Sequence, residues 1–219
     1  MDIQLKDIIV RVRVAIDEVV GSDVDSDFVS VVDTEIGQAL RYAALQLCES
    51  LPEEMLTPQA LTGGEVTAKP VAGSGRGTVL LPSDFVRLTY FKMAGWSQGV
   101  RELTDPTSEE GKMQSSDWTC GTAEKPVVML SGEMSGGQKK LEYYSACKDA
   151  QGAYVHNVEA LSYISTPTII DGTLHADLRP DCEPLLVYRA AGLVMDGKQN
   201  GGLADRFYKL STVNATGDP

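Results

Sequence analysis

A chain of 219 residues with 42% hydrophobic but only 6% aromatic content can bury one sizeable core, built mainly from Val, Leu, Ile and Ala. Nineteen basic residues face 31 acidic ones, a net charge of −12, and the densest basic run is Lys139-Lys140, which argues against tight nucleic-acid binding. The charged start Met1-Asp2-Ile3-Gln4-Leu5-Lys6-Asp7 is unlike a signal peptide, and no stretch reaches the roughly 18 apolar residues of a membrane span, so the expectation is a soluble protein made in the cytosol.

The first segment has a helical repeat, with Leu5, Ile8, Ile9, Val12, Ile16 and Val19 on one face; Gly21 and the Ser/Asp-rich stretch 22–27 end it. A second helix carries Val32, Ile36, Leu40, Ala43, Ala44, Leu47 and Leu51, with Ser30 or Asp33 as its expected cap and Pro52 as its stop. Glycines 63, 64, 73, 75 and 77 then bracket two extended runs, 65–69 and 78–81. They predict a β-hairpin with its tip at Ala72–Gly77. A strand follows at Phe85–Met93, then a turn at Gly95–Gly99 and a shorter strand around Val100–Leu103. Thr107 and Glu110 have capping-box spacing for a polar helix to Ser115. Pro126–Ser131 and Lys140–Ser145 are expected as strands joined by a Gly-rich turn at 132–137, with a further strand at Val158–Ile164 and an extended link at Thr168–Ile170. Asp181 is placed to cap a helix carrying Leu185, Leu186, Ala190, Leu193 and Val194; a last helix, 203–213, is expected to bury Leu203, Phe207 and Leu210. The fold class is therefore α+β: residues 1–55 and 178–219 form a helical bundle, and 56–177 a mainly antiparallel meander insertion with one short helix.

No catalytic, cofactor-binding or metal-binding residue is assigned. Gly73-Ser74-Gly75-Arg76-Gly77 lacks the Gly-Lys-Ser/Thr ending of a phosphate loop and runs into a strand, which favours a mobile hairpin tip. His175 and Asp177 suggest an acid–base pair only by proximity, and Asp23, Asp25 and Asp27 lack the glycine and closing glutamate of a calcium loop. Cys48, Cys120, Cys147 and Cys182 are widely spaced, as expected for free thiols. Trp96 and Trp118, each beside small or polar residues, are the most informative apolar side chains. Trp96, in the Gly95–Gly99 turn, is the candidate interface anchor.

Four local features, in order, resemble one family. They are the N-terminal helical pair with Leu40-Arg41-Tyr42-Ala43-Ala44; Val79-Leu80-Leu81-Pro82-Ser83-Asp84-Phe85-Val86-Arg87-Leu88; Met113-Gln114-Ser115-Ser116 followed by Gly121-Thr122-Ala123-Glu124-Lys125-Pro126; and Leu141-Glu142-Tyr143-Tyr144-Ser145 with a terminal helix pair starting at Leu185. Together they look like the head–tail adaptors of tailed bacteriophages, the tail-tubular-protein-A-like connectors. The polar stretch Asp149–His156 and the short tail depart from that pattern. The resemblance implies a non-enzymatic virion protein of the neck or tail. Its copies would form a homo-oligomeric ring, dodecameric like the portal, between the portal protein and a downstream tail protein. DNA would pass through the channel without specific binding, and no membrane would be involved. The partner-interface candidates are Trp96, Gly95 and Arg76 on the hairpin tips, and Val213, Asn214 and Pro219 in the tail. A monomeric binding or assembly-chaperone module, or an enzyme of unfamiliar kind, are the alternatives.

Overall fold

The computed structural model describes residues 1–16, 26–62, 65–116, 118–131 and 139–212, and for 26–30 the backbone alone. Strand β1 (Asp2–Gln4) leads into helix α1 (Leu5–Ala15), and helix α2 (Ser26–Ser50) follows. Next come β2 (Gln59–Thr62), β3 (Ala68–Pro70), β4 (Gly77–Leu80), β5 (Phe85–Met93) and the short helix α3 (Glu109–Met113). The strands β6 (Val128–Ser131), β7 (Lys140–Tyr143), β8 (Cys147–Lys148), β9 (Tyr154–Val155), β10 (Val158–Ser165), β11 (Thr168–Ile170) and β12 (Thr173–His175) follow. Helices α4 (Glu183–Gly197) and α5 (Gly201–Leu210) complete the described elements. The class is α+β, with antiparallel sheets throughout. Among the described residues no helix is long and apolar enough to cross a membrane.

The chain divides into two compact units, Met1–Thr57 with Thr166–Pro219, and Pro58–Ser165. The second boundary lies at 165/166, not at 177/178 as the sequence pattern suggests. The reason is strand pairing: β11 and β12 join β1 in a three-stranded sheet of order β1-β12-β11 and so belong with the chain's start. The Asp171-Gly172 turn between them has both residues at positive φ, 49° and 73°, the geometry of a tight hairpin.

In the first unit α4 packs against α1, α2 and α5. Val32, Ile36, Leu40, Ala43 and Leu47 recur every three or four residues along α2 and are buried, as are Ile8 and Val12 on α1 and Leu186, Ala190 and Ala191 on α4. Helix α2 starts at Ser26, ahead of the caps expected at Ser30 and Asp33. Asp33 is engaged elsewhere: Nε and Nη2 of the buried Arg13 both donate to its Oδ1, at 2.9 and 2.7 Å. Asp181 does not cap α4 either. It sits in a 3-10 turn, Pro180–Cys182, and pairs with Arg179 at 3.4 Å. Gly192 leaves room for Tyr208, whose ring lies 2.7 Å from where a Cβ would stand. The inward stripe of α5 runs through Ala204, Phe207 and Ser211, not through Leu203 and Leu210, which remain 38% and 47% exposed.

The second unit holds two sheets, β2-β10-β5 and β3-β4-β7-β6, and the pair β8-β9. This corrects the expected meander. Strand β10 inserts between β2 and β5, and β7 lies between β4 and β6, so neighbours in sequence are often not neighbours in the sheet. Register shifts in the β10–β5 pairing bring both Tyr163 and Ile164 to buried positions, although they are consecutive. The β3–β4 hairpin forms as expected, and a strand does follow Gly77. Gly77 is required by packing, since a Cβ there would stand 2.9 Å from the Lys69 carbonyl oxygen and overlap the Tyr143 ring. Helix α3 is shorter than predicted and is capped by Ser108, whose Oγ accepts from the Gly111 N–H at 3.0 Å; Asp105 binds Thr107 instead.

Candidate functional site

Trp96 is 3% exposed, so it lies in the core of the second unit and has no free surface to offer a partner. Its indole Nε1 donates to the Ser145 carbonyl oxygen at 2.7 Å, and its ring meets Phe91 edge-on at 5.6 Å. Gly95 is exposed, but its φ is +83° and a Cβ there would lie 2.8 Å from the Cys147 Sγ. Within the turn 95–99 the indole is the buried side chain, and the anchor role expected for Trp96 is corrected. The burial follows from position, because the indole is carried just past β5, whose inward residues Phe91 and Met93 are wholly buried.

Arg76 does reach a surface feature. A cleft of about 380 Å³ is lined by the tip Gly73–Arg76, by the segment from Trp118 to Ala123, by Tyr144–Ala146 and by Tyr154. Each wall is fixed. The tip closes with Val71 N–H donating to the Arg76 carbonyl at 2.9 Å and Gly73 at φ +71°. The Ala146 N–H then donates to the Gly75 carbonyl at 2.9 Å, and a Cβ on Gly75 would stand 3.0 Å from the Tyr154 ring. The expected mobile tip is thus held against its neighbours. On the opposite wall the buried Gln114 receives the Gly121 N–H at 2.7 Å and donates to the Glu110 carbonyl at 2.9 Å, which ties the loop back to α3.

That loop presents Trp118, 97% exposed, with Met113 half-exposed at its base. Across the cleft the Arg76 guanidinium stands 5.8 Å above the Tyr144 ring, and the Lys148 ammonium 4.9 Å above the Tyr154 ring. The Tyr144 hydroxyl donates to Glu142 at 2.7 Å; burial first, then this hydrogen bond, holds its pKa well above the ordinary tyrosine value. Arg76 and the rings of Trp118, Tyr144 and Tyr154 therefore line a cleft in an otherwise acidic chain. Among the described residues that line it there is no carboxylate and no imidazole. Stacking on the rings and contact with the guanidinium are interactions this arrangement can offer.

The remaining candidates are dispersed. His175 Nδ1 pairs with Asp2 at 2.9 Å, not with Asp177, which lies near the buried Cys48. His156 Nδ1 is 2.8 Å from the hydroxyl of the fully buried Tyr143. No group of three or more potential metal ligands occurs among the described residues. Val213, Asn214, Pro219, the turn 132–137, Asp23 and Asp25 lie outside the described residues.

The sequence singles out both tryptophans, but the one it favours as an anchor, Trp96, is the buried one, and Trp118 is the exposed one. The available signal was the approach: Phe91-Lys92-Met93 before Trp96 is strand, whereas Ser115-Ser116 before Trp118 is polar loop. Tyr144 was legible only as a residue of the expected strand Lys140–Ser145, and Tyr154 only as part of the polar stretch Asp149–His156. Compared with models of known protein families and with curated proteins, the chain matches none.

Proposed function

We propose that the chain is a structural virion protein, a head–tail adaptor. Its copies form a ring, dodecameric by analogy with the portal, that joins the portal to the next tail protein and surrounds the path of the DNA. The family resemblance of the Val79–Leu88 and Gly121–Pro126 segments supports this reading, and the net charge of −12 is compatible with a channel to which DNA does not stick. The observation that carries it is Trp118. An indole left almost fully in water, beside Met113, Arg76 and two tyrosines, is the kind of anchor that a protein partner covers. Mixing the chain with the portal ring encoded in the same genome tests the proposal. A complex with one ring of this chain per portal ring, seen by native mass spectrometry, is the expected result. Failure to bind, with the portal ring intact, would overturn it.

A further inference from the structure

We infer that His156 works as a proton-operated latch on the cleft: neutral, it ties the tip Gly73–Arg76 to the core, and protonated, it lets that wall of the cleft go. The inference rests on the recognition role proposed above for the cleft and names what regulates it. The imidazole stands between two elements. Its Nδ1 lies 2.8 Å from the hydroxyl of Tyr143, at the end of β7, and the ring is also hydrogen-bonded to the backbone of Ser74 in the tip. Ser74 and its neighbour Gly75 line the cleft together with Tyr154, whose ring centre is 6.2 Å from that of the imidazole.

The switch follows from the hydrogen-bonding capacity of the two rings. Tyr143 is wholly buried, and among the described residues His156 is the only hydrogen-bond partner of its hydroxyl. A neutral imidazole with a bare Nδ1 accepts the phenolic proton. An imidazolium carries a proton on both nitrogens, so its Nδ1 confronts a hydroxyl whose own proton has no other acceptor. Turning the hydroxyl round would orphan that proton in the core, which costs stability. Moving the half-buried imidazolium away from Tyr143 breaks the link instead and lets the charge reach water. The Ser74 contact favours the charged ring, so the imidazolium stays with the tip as both leave the core. The ionisable groups that face the ring are the phenols of Tyr143 and Tyr154. The charged side chains of the surrounding elements are placed elsewhere. Arg76 lies over Tyr144 and Lys148 over Tyr154, Glu142 accepts from the Tyr144 hydroxyl, and Asp149 accepts from the Gln151 and Ala153 N–H groups. Glu159 pairs with Lys92, Lys69 on β3 is exposed, and Lys140 is at the far end of β7 from Tyr143.

Hydrogen exchange of the full chain, read amide by amide by NMR and corrected for the intrinsic pH dependence of exchange, tests the latch. The Ala146 N–H, which donates to the Gly75 carbonyl, and the Val71 N–H, which donates to the Arg76 carbonyl, report on the tip. The N–H groups of Phe91 and Val100, each bonded to the other's carbonyl, report on the core. Between about pH 7 and pH 5 the tip amides should lose protection by roughly tenfold while the core amides keep theirs, because the open tip binds the proton more readily than the closed one. His156→Gln, which offers a donor and an acceptor without titrating, should hold the tip's protection constant over that range. Tyr143→Phe should raise the His156 pKa, followed through its ring proton shifts, because the neutral imidazole loses the donor that favours it. Tip protection that is flat with pH, an equal loss in His156→Gln, core amides that open in step with the tip, or a His156 pKa unmoved by Tyr143→Phe would each overturn the latch. Portal mixing separates the two proposals. If portal complexes form while the tip is indifferent to pH, the latch fails and the adaptor role stands. If the tip opens through His156 but no portal complex forms, the latch stands and the adaptor role fails.

Discussion

The indole of Trp96 donates its N–H to the carbonyl of Ser145, 49 residues further along the chain, and this bond joins the corner after β5 to the end of the β7 segment. With 3% exposure, the ring fills core volume as well as satisfying a buried acceptor. Trp96→Ala should therefore destabilise the fold by about 3–5 kcal/mol, and Trp96→Phe by less, about 1–3 kcal/mol, chiefly through the orphaned carbonyl. Urea unfolding monitored by circular dichroism reads both. An unchanged midpoint for Trp96→Ala would be incompatible with this packing.

Trp118 should behave in the opposite way. Because it is 97% exposed, Trp118→Ala should alter stability by no more than about 0.5 kcal/mol. The same change should weaken partner binding by about 2 kcal/mol or more if Trp118 is the anchor. Fluorescence distinguishes the two indoles directly. Trp118→Phe should remove the red-shifted, easily quenched part of the emission and leave the shielded signal of Trp96.

His156 makes stability depend on pH in a defined direction. Burial lowers its pKa below the ordinary 6.5, opposed by a backbone contact with Ser74. The unfolded chain therefore binds this proton more readily than the folded one. The contribution is complete above about pH 6.5 and is lost as the pH falls from there towards the folded-state pKa. The Tyr143 hydroxyl, its own pKa pushed up to about 12 by burial, remains protonated and donates to the neutral imidazole at Nδ1. Urea midpoints should fall between about pH 7 and pH 5, and His156→Gln should flatten that slope. An equal slope in the variant would assign the effect to other groups.

The four free thiols should separate into two classes. Burial, reinforced by the charge of Asp177, pushes Cys48 up to about 12; burial also raises Cys182, and both are fully buried. Cys120 and Cys147 are partly exposed. Brief alkylation of the native protein near pH 8, followed by peptide mass spectrometry, should label Cys120 and Cys147 well before Cys48 and Cys182. Uniform labelling would show that the first unit opens readily.

Much of the fold was legible because its signals are local. The α2 stripe from Val32 to Leu47 and the nine-residue β5 each declare their period without tertiary help. The failures occur where the decision is long-range. β12 is only three residues long and becomes a strand by pairing Asp2 with His175 and Gln4 with Thr173 across the whole chain. Phe207 is buried as expected, but Leu203 and Leu210 looked like core positions and the inward face of α5 takes Ala204 instead. The cleft was least legible of all. Arg76, Trp118, Tyr144 and Tyr154 come from four separate segments, and no single sequence window contains them together.

The strand pairing of the first unit also sets a timetable for synthesis. Strand β1 pairs with β12, so it must wait for a partner made much later. The second unit has its own sheets complete as soon as Ser165 emerges. At about 5–20 residues per second, the roughly 110 residues between the two parts of the first unit take about 5 to 20 s to make. For that interval Ile8, Val12, Ile36 and Leu40 have no α4 to cover them. The nascent chain is thus open to proteases and chaperones through the faces of α1 and α2, and the second unit can mature before the first.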